Sequence, residues 1–391
     1  VDVSPAIAMK VLFGADIVRY PLTGIGRYAY ELGRRLPGAA GIERVRYLRG
    51  GSVLDGLPER PAIGRVQQNN AHLRRVVGSL PMFAEVYLRV EALAQKRALR
   101  DFNDYVFHGP NYYLPPHPGP CVATFHDLSM FSWPECHPAA RVRRMQKELP
   151  KIMKRVQVLV TDSEFTRQEV AVYFNWPLRR IVVAPLAASS DYRPMDIIEV
   201  APVLSRWELH FGRYSLFVSS LDPRKNIGML LDVYERMPHA LRLRMPLVVV
   251  GFEGWKSEDT IARLRAGERA GWARYLGFVD EASLPALYAG ARVFLYPSRY
   301  EGFGLPVLEA MAAGTPVICS NAASLPEVAG VDGAVLIAVD DAEALYEALM
   351  RALEDDVWCA EARCRGLKRA AEFSWDKTVA ATLIAYKLAG Q

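Results

Sequence analysis

Residues 297–316 read PSRYEGFGLPVLEAMAAGTP. The apolar run before them, VFLYPS (293–298), reads as a buried strand. RYEGFG follows as a loop, and LPVLEAMAAG follows as a helix that Gly314 ends. Pro306 suits the first helical position, because its fixed φ fits there and its missing N–H costs nothing. Gly302 and Gly304 let the backbone turn tightly and let a ligand approach. A helix start of this kind carries unpaired N–H groups and about half a positive charge, which favours an anion. Glu301 and Glu309 bracket it, eight residues apart. Glu309 is expected in the first helical turn, where a carboxylate accepting two hydrogen bonds suits a vicinal diol such as a ribose. Glu301 precedes the helix, nearer a reacting centre, where it would grip sugar hydroxyls. The plainer alternative is a well-capped helix whose acids complement the dipole.

Working outward, short apolar β-branched runs alternate with longer helical ones. VLFGADIV (11–18), YVFHG (105–109), CVATFHD (121–127), VLVTDS (158–163) and IVVAPLA (181–187) read as buried strands of a first unit. SLFVSS (215–220), PLVVVG (246–251), ARYLGFV (273–279), VFLYPS and PVICSN (316–321) do so for a second. Segments 24–36 and 226–237 are helices between them. Continuously apolar strands alternating with helices predict parallel sheets covered on both faces. The pattern occurs twice, so the fold class is α/β, with two Rossmann-like doubly wound domains facing a cleft. The chain of 391 residues is too long for one ordinary core, which agrees. The junction falls near 188–212, where DYRP (191–194) breaks the pattern. The domains are therefore expected at 1–200 and 201–375. Ligands of such domains bind outside the C-terminal ends of the strands.

Composition narrows the classes. Charged residues make up 23% and hydrophobic ones 51%, which is a globular balance and not a disordered one. No apolar run approaches the ~18–20 residues that span a bilayer. The opening VDVSPAIAMK lacks a basic start and a long apolar segment, so no signal peptide is expected, and Met9 opens the first strand. The five cysteines have no CxxC spacing, which suggests a reducing cytoplasm and no zinc site. Net charge is only +5, but residues 141–155 hold seven basic residues against Glu148. Residues 74–100 add six against Glu85 and Glu91. These clusters read either as solvated helix faces or as a surface for anionic lipid headgroups or a phosphorylated acceptor. No nucleic-acid motif or aromatic–basic interleaving is present.

Other loops follow predicted strands and so face the same cleft. In DPRKN (222–226), Arg224 and Lys225 place fixed positive charge where a departing diphosphate would gain negative charge. In TGIGRY (23–28), Gly24 and Gly26 permit close backbone approach. GIGRYA also fits a dinucleotide-binding GxGxxA, with Glu43 as the acid about 20 residues on. TFHDLSMFSWPECHP (124–138) puts His126 and Asp127 at a strand end. In TDSEFTRQEV (161–170), Ser163 is a good N-cap, either of a plain helix or of one forming an acceptor-side wall. No DxD-like acidic pair or His/Asp cluster marks a metal site.

The run EGFGLPVLE resembles the EX7E motif of retaining glycosyltransferases with the GT-B fold, family 4. YLGFVDEASLPALYAGARVFLYPS before it and GTPVICSNAASLPEVAG after it look like that family's flanks, and HDL…PE looks like its mannosyltransferase-like branch. FSWDKTVAATLIAY (373–386) is similar to the closing helix that, in the family, packs back on the N-terminal domain; here that helix is expected at 376–389. The resemblance implies catalytic roles for His126, Glu301, Arg224 and Lys225. It implies a donor site at Gly24, Gly26, Ser220, Phe278, Val279, Phe303, Gly304, Leu305 and Glu309, with the backbone at Phe278 and Val279 reading the base. Some members carry an arginine where this chain has Ser220, so Arg224 is expected to bear more of the diphosphate. Asp127 and Ser163 fall on the acceptor side.

What the resemblance implies is transfer of a hexose, mannose or a 6-deoxyhexose, from a nucleotide diphosphate sugar with GDP-mannose as the first choice. The acceptor would be a glycan or a lipid-diphosphate-linked oligosaccharide in bacterial polysaccharide (lipopolysaccharide) synthesis. Neither metal nor cofactor is expected. The expected location is cytoplasmic and peripheral on the inner membrane face, through the basic clusters, with no nucleic-acid partner. Two rivals stand beside it: an NAD(P)-dependent oxidoreductase using Gly24 and Gly26, and a non-catalytic GT-B protein that only binds glycan or nucleotide.

Overall fold

The computed structural model describes residues 8–59 and 93–391. Residues 1–7, and Arg74, Arg75, Glu85, Arg89 and Glu91 of the second basic cluster, lie outside the described residues. A first sheet comprises β1 (Met9–Gly14), β2 (Ile42–Arg49), β3 (Ser52–Leu54), β4 (Val106–Gly109), β5 (Cys121–Phe125), β6 (Val158–Thr161) and β7 (Ile181–Val183), in the order β3-β2-β1-β4-β5-β6-β7. A second comprises β8 (Ser215–Val218), β9 (Leu247–Val250), β10 (Ala273–Gly277), β11 (Val293–Tyr296), β12 (Val317–Ser320) and β13 (Val335–Ile337), in the order β10-β9-β8-β11-β12-β13. Every pairing is parallel except β2–β3.

Strands buried on both faces were the most legible in the sequence. Every residue of β4, β5, β6, β9, β11 and β12 is buried, so these strands read as unbroken apolar runs. The sequence reading missed β2, β3 and β13. IERVRYLR of β2 mixes exposed arginines with buried apolar residues, and β3 and β13 are three-residue edge strands.

Strand order locates the site. The chain leaves β1 toward β2 and β3, then returns to place β4 on the other side of β1. The second sheet does the same around β8 and β11. Such reversals open a crevice at the C-terminal ends of the two central strands. The loops after β1, β4, β8 and β11 therefore supply the site.

The framing helices are α1 (Gly24–Arg35), α2 (Ala139–Met153), α3 (Glu164–Phe174), α4 (Leu305–Ala312), α5 (Leu325–Ala329) and α6 (Trp375–Ala389). Thr23 caps α1 by accepting from Gly26 N–H. On α2, Val142, Leu149 and Ile152 are buried while Arg141, Arg143, Arg144 and Lys147 are exposed, so its basic residues form one solvent face. The C-terminal α6 lies on the first sheet. Its Tyr386 hydroxyl meets His108 Nδ1 at 2.7 Å, His108 Nε2 meets Thr124 Oγ1 at 2.8 Å, and Thr124 Oγ1 meets the Tyr28 hydroxyl at 2.8 Å. Burial pushes His108 down to about 3, so the chain is neutral and fully paired, the condition for polar groups in a core.

Candidate active site

The loops after β8 and β11 build a buried cluster of opposite charges. Pro223–Lys225 forms a single 3-10 turn that Asn226 ends at φ 56°, and it turns Arg224 and Lys225 inward. They are only 9% and 6% exposed. Lys225 Nζ donates to Glu301 Oε1 at 2.5 Å and to the Tyr296 hydroxyl at 3.2 Å. Arg224 Nη1 donates to the Tyr300 carbonyl at 2.6 Å and to Glu301 Oε2 at 3.4 Å. Tyr296 and Ser298 add hydroxyl donors to Glu301 Oε1 at 2.9 and 2.7 Å. Burial opposes a charge on Glu301, but Lys225 and Arg224 overcome it and hold the carboxyl at about 2. Burial lowers Lys225, and Glu301 works against that loss, so the two stand as an ion pair. Both Glu301 oxygens are thus committed to its own cations. In this arrangement Glu301 fixes the cations mainly through Oε1, while Oε2 has one long contact from Arg224.

Arg224 Nε is buried without a hydrogen-bond partner, with Asp222 Oδ1 3.6 Å away. The cluster therefore has donor capacity left over. Ser220 is exposed and donates to Asp222 at 2.8 Å.

Glu309 lies one residue further into its helix than the sequence suggested. The helix starts at Leu305, after Gly304 at φ 102°, so Glu309 is its fifth residue and its first turn holds no acid. Glu309 is 5% exposed and accepts from the Tyr288 hydroxyl at 3.2 Å. Across the crevice, Arg27 Nη1 on α1 donates to it at 3.0 Å and to the Tyr192 hydroxyl at 2.9 Å. Burial raises the Glu309 carboxyl and Arg27 pulls it back. The carboxylate reaches the crevice as expected, but a guanidinium from the other half occupies it.

His126 stands at the end of β5 with both ring nitrogens engaged. Nδ1 meets Asp162 Oδ2 at 2.6 Å and Nε2 meets the Pro110 carbonyl at 2.8 Å. The Pro110 carbonyl can only accept, so Nε2 donates to it, and Nδ1 shares a proton with the Asp162 carboxyl. Burial works against a charge on the ring, but Asp162 and the Pro110 carbonyl outweigh it and raise the pKa. His126 has no free nitrogen with which to take a proton. Asp127 accepts from the Ser129 N–H and hydroxyl at 2.9 and 2.8 Å and so shapes the loop.

Gly24 is open where a Cβ would project, whereas a Cβ on Gly26 would lie 3.1 Å from the Ile17 carbonyl oxygen. Phe303 is buried, its ring turned against Phe373 at 5.9 Å, and Leu305 is half-buried. Phe278 is 48% exposed and stacks on Phe252 at 4.9 Å, while Val279 is buried. Ser163 caps α3 and is fully buried. Among the described residues, no group of three or more His, Cys, Asp or Glu side chains is arranged to hold a metal ion.

The dinucleotide reading of GIGRYA fails on geometry. Glu43 is the second residue of β2, at the end away from the crevice, and lies 3.9 Å from Lys10. An acid that held a ribose would stand near the C-terminal end of that strand. Sequence reasoning also passed over Arg27, Asp162, Tyr288, Tyr300, Thr166 and Glu327. All lie inside stretches already singled out, but their partners are distant in sequence, and those of Arg27, Tyr300, Thr166 and Glu327 are in the other half of the chain.

The family described as "Glycosyl transferases group 1" matches residues 211–372. O-antigen chain mannosyltransferase B of Escherichia coli is 43% identical over 381 residues, covering 97% of this chain and all of that protein. Sucrose-phosphate synthase from Thermosynechococcus elongatus superposes with a TM-score of 0.69 at 20% identity, covering 97% of this chain and 98% of that one. WaaG, a glycosyltransferase involved in lipopolysaccharide biosynthesis, gives 0.68 at 15% identity, covering 97% of this chain and all of that one. At such identities these two structures speak for the fold, which is theirs.

Proposed function

The chain belongs to the group 1 glycosyl transferases, with the GT-B fold, and from that membership we propose that it moves mannose from GDP-mannose, with retention of configuration, onto a growing bacterial O-antigen-type polysaccharide. The observation that carries this reading is the buried Arg224–Lys225 pair at the switch point of the second sheet, with Arg224 Nε free of hydrogen bonds. An anionic leaving group is what such a site stabilises. The bond from the sugar's C1 to the diphosphate breaks, and its electron pair leaves with the phosphate. The cations sit where that charge grows, which is worth most in a water-poor site. The acceptor hydroxyl attacks the same face, and its proton passes to the departing phosphate oxygen. This front-face course needs no protein base, in keeping with His126 having no free nitrogen.

Positive charge from side chains substitutes for a metal in this scheme, so transfer should proceed in EDTA. The choice of mannose rests on the relationship to the O-antigen chain mannosyltransferase. The test is incubation with labelled GDP-mannose, EDTA and a mannose-terminated acceptor on a lipid diphosphate. An α-linked mannosyl product supports the proposal. A β-linked product, or turnover only with another sugar nucleotide, contradicts it.

The exposed basic face of α2 would meet the anionic surface that carries such an acceptor. No helix among the described residues is long and apolar enough to cross a membrane. Neutralising Arg143, Arg144 and Lys147 together should weaken binding to anionic vesicles by about tenfold or more, each charge near such a surface being worth about 1 kcal/mol. Transfer to a soluble acceptor should be unchanged. Wild-type vesicle binding in the triple variant would return α2 to an ordinary solvated face.

A further inference from the structure

The first turn of α3 is where the two halves of the chain meet. Ser163 caps it in the usual way, its Oγ accepting from Thr166 N–H at 3.1 Å. Three groups from the second half converge on the same place. The Gly302 carbonyl accepts from Ser163 Oγ at 2.6 Å and from Thr166 Oγ1 at 3.0 Å. The Glu327 carboxylate on α5 accepts from Glu164 N–H at 2.9 Å on each oxygen and from Phe165 N–H at 3.2 Å. The Tyr300 hydroxyl accepts from Leu128 N–H at 2.9 Å and donates to Glu169 of α3.

Helix starts leave N–H groups that the helix itself cannot satisfy, and they favour negative charge. Here a carboxylate from the opposite sheet satisfies two of them. Ser163 and Thr166 are fully buried, and their hydroxyls are spent on a carbonyl that neither α3 nor its sheet provides. The segment so gripped, 300–302, includes Glu301, which in turn fixes Lys225 and Arg224. We propose that Glu327, Ser163 and Thr166 are positioning residues for glycosyl transfer. They latch the loop 298–304 onto α3 when the crevice closes and so place Glu301 with its two cations. The proposal rests on the glycosyltransferase reading above.

The test uses Glu327→Ala and Thr166→Val, the second of which keeps side-chain shape and the Ser163 cap. Each should lower kcat by about tenfold to a hundredfold, since a misplacement of about 1 Å can cost a hundredfold. The nucleoside diphosphate Kd should stay within about twofold of wild type, because no nucleotide contact is removed. Small-angle scattering should show a larger radius of gyration for both variants. Glu327→Gln, which keeps an uncharged acceptor, should fall between wild type and Glu327→Ala. Wild-type kcat and scattering in both single variants would overturn the latch, as would a loss of nucleotide affinity equal to the loss of rate. If the wild-type chain transfers no sugar, the functional reading fails by itself. The scattering comparison then still decides, and an unchanged radius in both variants overturns the latch.

Discussion

Lys225→Ala should lower kcat for mannosyl transfer by about a thousandfold, the upper range for removing one preorganised stabiliser of transition-state charge. Lys225 is 6% exposed and its ammonium touches Glu301 at 2.5 Å. Truncation therefore also strands a buried carboxylate, and breaking a buried pair on one side costs about 3–5 kcal/mol of stability. The double variant Lys225→Met/Glu301→Gln separates the two effects. It removes both charges, so thermal stability should recover toward wild type while transfer stays low. Turnover near wild type in either variant would remove the leaving-group role from Lys225.

Gly302→Ala should cost about a hundredfold in kcat through backbone approach alone, by displacing the loop that bears Glu301. A Cβ at Gly302 would lie 1.7 Å from the His126 carbonyl oxygen, far inside any real contact. Both atoms at risk are near backbone, so no flexible side chain can yield. The loop after β11 must back away from the loop after β5, and the crevice cannot close as it does here. The loss in kcat should exceed any loss in nucleoside diphosphate affinity measured by calorimetry, because the closed contact acts on placement during transfer. Wild-type kcat in Gly302→Ala would mean that the closed contact has no part in the reaction.

Sequence reading located the crevice loops because each follows a buried strand, and buried parallel strands are the most legible elements. Arg224, Lys225 and Glu301 read as a set because two distinct motifs carried them to strand ends, and they do meet. Their manner of meeting was not legible. Glu301 was expected to face a sugar, and local patterns gave no sign that Tyr296, Ser298 and Lys225 converge on its Oε1. Glu309 was placed one residue too early in its helix, because Pro306 was taken as the first helical residue and Leu305 holds that position. Ser163 looked like a cap and is one, but its hydroxyl hydrogen goes to a carbonyl 139 residues away. Arg27 pairs with Glu309 across 282 residues. Contacts of that separation depend on how two sheets face each other, which periodicity and capping rules do not encode.

Donor identity and metal independence are tested most directly by titration calorimetry of the intact chain in EDTA with GDP-mannose, UDP-glucose and NAD+. Binding of GDP-mannose with one-to-one stoichiometry, tighter than UDP-glucose and with no heat from NAD+, is the predicted result. Binding of NAD+ alone, or of a sugar nucleotide only after Mg2+ or Mn2+ is restored, would contradict a cation pair at Arg224 and Lys225 acting on the donor diphosphate.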